Sequence, residues 1–273
     1  MYRLIVSDLD GTLLRDDHTL SEYTKAVIHK VSDQGIDFML ATGRIFGGAR
    51  QFAKELKLNT PILACNGALI KEAAGKLLYG KPIQEEALIE IFRLLTDRNY
   101  YFHSYGEESF YTKKFGNSLT AFYAFNDDLP EEDRFPMVEI DPMDLIGKDP
   151  IYKVLTRCEG EEERNALFSS LSEIAGASVT ISWYNTFDIC ADEVSKASAI
   201  ERYAKKKGIH PSEIICFGDN FNDMDMLQYA GLGIAVENGV KELKEAADYV
   251  TANNNEDGVA KAIERFVLNP RIG

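Results

Sequence analysis

Apolar residues in this chain come in two rhythms: short unbroken runs, and longer stretches in which they recur every few positions. The first rhythm predicts buried strands, the second helices with one face in a core. Leu4 to Val6 is a run of the first kind, and it stops abruptly at Ser7-Asp8-Leu9-Asp10-Gly11-Thr12. A helix capped by Ser21 follows and reaches about Gln34, with Tyr23, Val27, Ile28 and Val31 as its apolar stripe and Gly35 as its stop. Ile36 to Ala41 is the next strand; it delivers Thr42-Gly43-Arg44 into a turn before a helix over Ile45 to Leu56. Pro61 to Cys65 is a third strand, ending at Asn66-Gly67. Unbroken apolar strands separated by helices predict a parallel sheet covered on its faces.

The texture changes near Lys81-Pro82. An amphipathic helix over Glu85 to Asp97 leads to aromatic-rich strand candidates, Tyr100 to Tyr105 and Ser109 to Thr112, and then to a polar stretch holding Pro130, Pro136, Pro142 and Pro150. Tyr152 to Cys158 reads as a strand, and Glu161 to Ala175 as a helix whose charged start is Glu161-Glu162-Glu163. Ser178 to Trp183 and Thr186 to Ile189 form a hairpin around Tyr184-Asn185. Alternating strands of this kind suit a sheet with one wet face, and so a mixed α/β domain inserted into the first.

The parallel pattern then resumes. A helix runs from Ser195 or Lys196 to Lys207, with Gly208 as its stop and three lysines at its negative end. Ile214 to Phe217 is a strand that runs out at Gly218-Asp219-Asn220, followed by a helix with Met224, Met226 and Leu227. Leu232 to Val236 and Tyr249 to Thr251 are further strands, with helices over Val240 to Ala247 and Gly258 to Val267. The predicted fold is α/β: a doubly wound, Rossmann-like parallel-sheet core over 1–81 and 191–273, with a mixed α/β domain over 82–190 inserted.

Composition narrows the partners. The chain has 273 residues, 45% hydrophobic and 27% charged, enough for two domains with ample core. A net charge of -14 argues against a nucleic-acid partner, and it means that an anionic substrate needs local positive charge or a metal. No apolar run approaches the roughly 20 residues of a membrane span, and the N-terminus shows no signal-peptide pattern, so the expectation is a cytoplasmic protein. The four cysteines, Cys65, Cys158, Cys190 and Cys216, lie widely spaced in apolar runs without a CxxC pair and are read as buried free thiols.

The chemistry collects at strand ends. Asp8, Thr42, Asn66 and Asp219 each follow a buried strand, and in a parallel sheet those ends share the edge where ligands bind. Asp8 and Asp10 are two apart and emerge together, so they repel unless a cation or a shared proton relieves them. With Asp223 one helical turn beyond Asp219, the donors are hard oxygens with no histidine or cysteine, which favours Mg²⁺ over zinc. Beside such a cation one carboxylate can attack a phosphorus atom, while Asp10 is suited to move protons. Thr42, the Gly43 amide, Lys196 and Asn222 are candidates to hold the phosphate oxygens.

Asp8-Leu9-Asp10-Gly11-Thr12, Thr42-Gly43-Arg44, Lys196 and Gly218-Asp219-Asn220-Phe221-Asn222-Asp223 together resemble the motifs of the haloacid dehalogenase superfamily. Ala41-Thr42-Gly43-Arg44, Asn66-Gly67-Ala68 and Glu256-Asp257-Gly258-Val259-Ala260 look like its Cof-type branch of sugar-phosphate-like phosphatases, which carries a large α/β cap between the second and third motifs. The resemblance implies Asp8 as nucleophile and Mg²⁺ ligand, and Asp10 as acid and base with its backbone carbonyl on the metal. It implies Asp219 as the other protein ligand, Asp223 in support, and phosphate bound by Leu9 through its amide, Thr42, Gly43, Lys196 and Asn222. The run Asp192-Glu193-Val194-Ser195-Lys196-Ala197 departs from the glycines usual around the motif lysine, and Glu237 stands where relatives carry a small residue.

The expected activity is Mg²⁺-dependent hydrolysis of a small phosphorylated metabolite. Sugar phosphates, nucleotide monophosphates, pyridoxal phosphate and flavin mononucleotide all stay open, as does the oligomeric state. Other readings are a phosphotransferase or mutase on the same core, or a receiver-like module that accepts phosphate on aspartate, although a receiver needs neither Asp10 nor the insert. Arg44 is expected to reach the substrate or to pair with an acid. Tyr100, Tyr101, His103, Tyr105, Trp183 and Tyr184 are aromatics of the insert that either line a pocket or pack the sheet, with His103 read as structural.

Overall fold

The first apolar run is a strand because it is covered on both sides. In a computed structural model, which describes residues 1–114, 116 and 119–269, Leu4 and Val6 pack into one buried cluster and Ile5 into the other. Residues 270–273 of the expected 191–273 segment, and 115, 117 and 118 of 82–190, lie outside the described residues.

The chain opens with β1 (Leu4–Ser7), α1 (Glu22–Asp33), β2 (Asp37–Leu40), α2 (Phe46–Glu55), β3 (Ile62–Ala64), β4 (Leu69–Lys71) and β5 (Leu77–Gly80). It continues through α3 (Glu85–Asp97), β6 (Tyr101–Tyr105), β7 (Phe110–Thr112), α4 (Thr120–Asp128), β8 (Met137–Glu139), α5 (Pro142–Leu145), β9 (Lys153–Arg157), α6 (Glu161–Ser172), β10 (Ala177–Trp183) and β11 (Thr186–Ala191). It closes with α7 (Lys196–Lys207), β12 (Ile214–Gly218), α8 (Met224–Tyr229), β13 (Leu232–Val236), α9 (Lys241–Ala246), β14 (Tyr249–Thr251) and α10 (Gly258–Ile263). No helix among the described residues is long and apolar enough to cross a membrane.

Five strands form an all-parallel sheet in the order β14-β13-β12-β1-β2. The strand order turns at β1, so the carboxyl ends of β1, β2 and β12 frame one crevice. β3 lies parallel to β2 through the single bridge Ala41 to Leu63, and its other edge pairs antiparallel with the unpredicted hairpin β4-β5. α1 is capped as expected, with the Ser21 hydroxyl accepting from the Thr24 amide. Its stripe is shifted, however: Thr24 joins Val27, Ile28 and Val31 in the core, whereas Tyr23 is turned out and its hydroxyl donates to Glu264 at 2.7 Å.

The inserted strands make a mixed six-stranded sheet in the order β10-β11-β9-β6-β7-β8, antiparallel except for β7 with β8. The expected wet face is reduced to the sheet's edges: β10 is half-buried up to an exposed Trp183, and β8 at the other edge is half-buried to exposed. β6 and β11 are buried almost throughout, because their sheet closes over the crevice of the parallel one. α4 and β8 were not predicted, and the last helix ends at Ile263 and continues as a wider coil over Glu264–Leu268. All four cysteines are buried free thiols.

Candidate active site

Where β1 ends, the chain winds into a turn over Leu9–Leu13, closed by the Leu14 amide on the Leu9 carbonyl at 2.9 Å. Gly11 makes the turn possible twice over. Its φ is +76°, and a Cβ there would come 2.6 Å from Asp219 Oδ2. Thr12 Oγ1 donates to Asp219 Oδ1 at 2.9 Å, so this turn holds the side chain at the end of β12. Asp223, one turn further, accepts from the Asp219 and Asn220 amides at 3.0 and 3.2 Å. On α7 the Ser195 and Ser198 side chains cap each other's backbone and start the helix at Lys196. Lys196 Nζ is buried and donates to Asp8 Oδ1 at 2.5 Å and to Asp223 Oδ1 at 2.6 Å.

Asp8, Asp219 and Asp223 thus each bring a carboxylate oxygen within 4.8 Å of the others, all three buried. One ammonium faces three carboxylates. Burial pushes the Asp8 carboxyl well above its ordinary value, reinforced by Asp223, Asp219 and Asp10 and opposed by Lys196. Burial and the Asp223 charge raise Asp219 to about 7. Burial works against the Lys196 cation, but the charges of Asp223 and Asp8 outweigh it and hold the amine protonated. Surplus negative charge on oxygen donors alone fits a hard divalent cation such as Mg²⁺.

Asp10 is turned elsewhere. Arg44 grips both of its oxygens, Nε to Oδ2 at 2.6 Å and Nη2 to Oδ1 at 2.5 Å, and His18 Nδ1 lies 3.5 Å from Oδ1. Burial would raise this carboxyl, but hydrogen bonds from Arg44 and His18 hold it well below the usual range. Arg44 therefore pairs with an acid, one of the two roles expected of it, and is stacked between Phe52 and Phe125, whose ring centres lie 5.2 and 4.8 Å away.

Asp8, Asp10, Thr42, Gly43, Asp219 and Asn222 line one cavity of about 760 Å³ between the two sheets. Leu9, Lys196 and Asp223 do not line it and are buried beside it. Thr42 Oγ1 accepts from the Arg44 amide at 3.1 Å, and Asn222 Nδ2 donates to Asn66 Oδ1 at 3.2 Å. Of the named aromatics only Tyr105 and Trp183 reach the cavity. His103 is buried between the Tyr101 and Tyr105 hydroxyls at 2.8 and 3.1 Å, and burial keeps its ring neutral.

The profile of the haloacid dehalogenase-like hydrolase family matches residues 5–263 of the chain. The chain belongs to this family. A Haemophilus influenzae protein with a provisional phosphatase name is 32% identical over 264 residues, which are 97% of this chain and 98% of its own. A 5-amino-6-(5-phospho-D-ribitylamino)uracil phosphatase of Bacillus subtilis is 28% identical over 266 residues, 97% of this chain and 96% of its own. The structure of a haloacid dehalogenase-like hydrolase from B. subtilis superposes with a TM-score of 0.87 at 25% identity, covering 97% of this chain and 100% of that one.

In this hydrolase, sequence reasoning overlooked several residues at the cavity, among them His18, Lys153 and Asp188. Lys153 and Asp188 are charged residues inside the apolar strands β9 and β11, and that mismatch was the available signal. Both are buried, 3.0 Å apart, and Lys153 Nζ donates to the Gly43 carbonyl at 2.6 Å. A Cβ on Gly43 would come within 3.0 Å of Asn66 Oδ1 and only into ordinary contact, 3.5 Å, with each member of the pair, so it is the Asn66 side chain that the missing Cβ accommodates.

Proposed function

We propose that this enzyme, a phosphoric monoester hydrolase, removes phosphate from a small phosphorylated metabolite, a sugar phosphate or similar monoester, through an aspartyl-phosphate and with Mg²⁺ as cofactor. The observation that carries the reading is the trio of Asp8, Asp219 and Asp223 oxygens within 4.8 Å of one another, with Lys196 on two of them. Asp8, Asp219 and the Asp10 backbone carbonyl would hold Mg²⁺, with Asp223 steadying them. The bound cation supplies positive charge that offsets both the carboxylates and the phosphate dianion.

Asp8 attacks phosphorus with one carboxylate oxygen, forming the acyl-phosphate as the ester oxygen departs. Asp10 protonates that oxygen and then takes a proton from the water that attacks the acyl-phosphate, which returns Asp8 to a free carboxylate. Arg44 occupies one lone pair on each Asp10 oxygen and favours the carboxylate, so the proton taken up in turnover goes to the remaining lone pair of one oxygen and weakens that arm of the fork. The Leu9 and Gly43 amides, Thr42, Lys196 and Asn222 bind the transferred oxygens. In this reading 1–81 and 191–273 are the catalytic core and 82–190 the cap that selects substrate, and the protein works in the cytoplasm, where buried cysteines stay reduced.

Phosphate release from p-nitrophenyl phosphate tests the proposal. Steady release with Mg²⁺, lost on chelation and in Asp8→Asn, is the expected result. A single stoichiometric phosphorylation without turnover would instead favour the receiver reading.

A further inference from the structure

The turn after β3 is strained. Cys65, Asn66 and Gly67 follow one another in the left-handed region, with φ of +50°, +55° and +94°. Glycine adopts that region freely and asparagine tolerates it, but for cysteine it is unfavourable. Such strain persists where the surroundings over-determine it, and this turn is held on two sides. The Cys65 and Asn66 amides donate to the Arg44 and Thr42 carbonyls at 2.9 and 3.0 Å, which ties it to the turn after β2. Gly67 is seated on the start of α7, where a Cβ would collide with the Ser195 carbonyl.

What this turn presents is the Asn66 side chain. Asn66 is 5% exposed and does not line the cavity; its amide stands behind the wall, between Asp188 of β11 and Asn222. The Asp188 carboxylate, 3.0 Å from the Lys153 ammonium, offers only acceptors, so the Asn66 nitrogen faces it, with Nδ2 donating to Asp188 Oδ2 at 2.8 Å. Asn66 Oδ1 is thereby turned to Asn222. It can only accept, so Asn222 brings its own nitrogen round, and Nδ2 donates to Asn66 Oδ1 at 3.2 Å. Among the described residues that is the only hydrogen bond of the Asn222 side chain, which is half-buried at the cavity wall. An amide nitrogen carries two protons. One goes to Asn66, and the other is left for whatever occupies the cavity.

We infer that Asn66 is a positioning residue of the reaction: fixed end for end by Asp188, it orients the Asn222 amide so that the second proton is directed at the transferred phosphoryl oxygens. This rests on the proposed phosphatase reading and adds to it a residue that touches neither substrate nor metal. It also makes the inserted domain part of the phosphate end. Without the Asp188 acceptor the Asn66 amide can rotate, turning an N–H instead of an oxygen towards Asn222 and releasing that side chain.

A double-mutant cycle tests this. Asn66→Gly keeps the left-handed backbone and deletes only the amide, and Asn222→Ala deletes the group it is held to orient. Asn66→Gly should lower kcat/KM for p-nitrophenyl phosphate about tenfold in the wild type and hardly at all in Asn222→Ala, because there is then nothing left to position. Its Mg²⁺ affinity by titration calorimetry should be unchanged, which separates lost positioning from a collapsed site. If Asn66→Gly does not fold, the same cycle is run from Asp188→Ala, whose loss should likewise vanish against Asn222→Ala. An equal loss in both backgrounds, or no loss in the wild type, would overturn the inference. Calorimetric binding of orthovanadate with Mg²⁺, a mimic of the phosphoryl group in transfer, is measured in the same proteins. If the wild type binds vanadate but does not release phosphate, the phosphatase reading fails by itself and the vanadate cycle still decides Asn66; if it does neither, both readings fall.

Discussion

Asp219 links the site to pH. Burial and the Asp223 charge raise its carboxyl to about 7 in the folded chain, whereas an unfolded aspartate titrates near about 4. Between those values the folded chain holds a proton that the unfolded chain has lost. The contribution of this group to stability is therefore greatest below about pH 4 and is lost as pH rises through about 7. A cation competes with that proton, so Mg²⁺ should raise the melting temperature more near about pH 8 than near about pH 6, as read by scanning calorimetry. An equal rise at both would mean that the ion does not engage Asp219. Side-chain types at this site were legible because Asp8, Asp219 and Lys196 stand where buried elements begin or end. The grip of Arg44 on Asp10 was legible only as one of two options, because it depends on how a turn after β2 faces the turn after β1.

Turns set the ligand geometry, and Gly11 is where this can be tried. In Gly11→Ala a Cβ would meet Asp219 Oδ2 at 2.6 Å with φ at +76°, so either the turn or the carboxylate must shift. The backbone penalty is about 1–2 kcal/mol, whereas displacing a ligand should weaken Mg²⁺ binding by about tenfold or more. Titration calorimetry with Mg²⁺ reads the second effect and chemical denaturation the first; unchanged affinity would remove Gly11 from the account. At this scale the strands of the parallel sheet were readable because both faces are buried, which leaves an unbroken apolar run. The hairpin β4-β5 was not, since its first strand is three residues long and its second is largely exposed. α4 was missed because it follows strand-like aromatics and owes its order to contacts such as Asn126 with Phe135 across a loop.

The whole molecule is two sheets meeting over one cavity, and charge draws them together. Arg50 and Lys54 of α2 meet the buried Asp133 across the seam, and Lys71 of β4 meets Glu107 and Glu108. In a chain with net charge -14, these three cations of the core face acids of the insert, while Lys153 of the insert faces the Gly43 carbonyl of the core. The inserted domain was visible in the sequence as a change of texture, but its contribution to the site was not. Lys153 and Asp188 matter through the register of β9 with β11 and their approach to Gly43, and neither can be read along the chain. All of these contacts serve one claim, that Asp8 carries the phosphoryl group between substrate and water. The most direct test is to acid-quench the intact protein during turnover of p-nitrophenyl phosphate with Mg²⁺ and to locate the added phosphoryl mass by peptide mapping. The account predicts it on the peptide bearing Asp8 and its absence in Asp8→Asn; phosphate release by Asp8→Asn at the wild-type rate, or label on another residue, would contradict it.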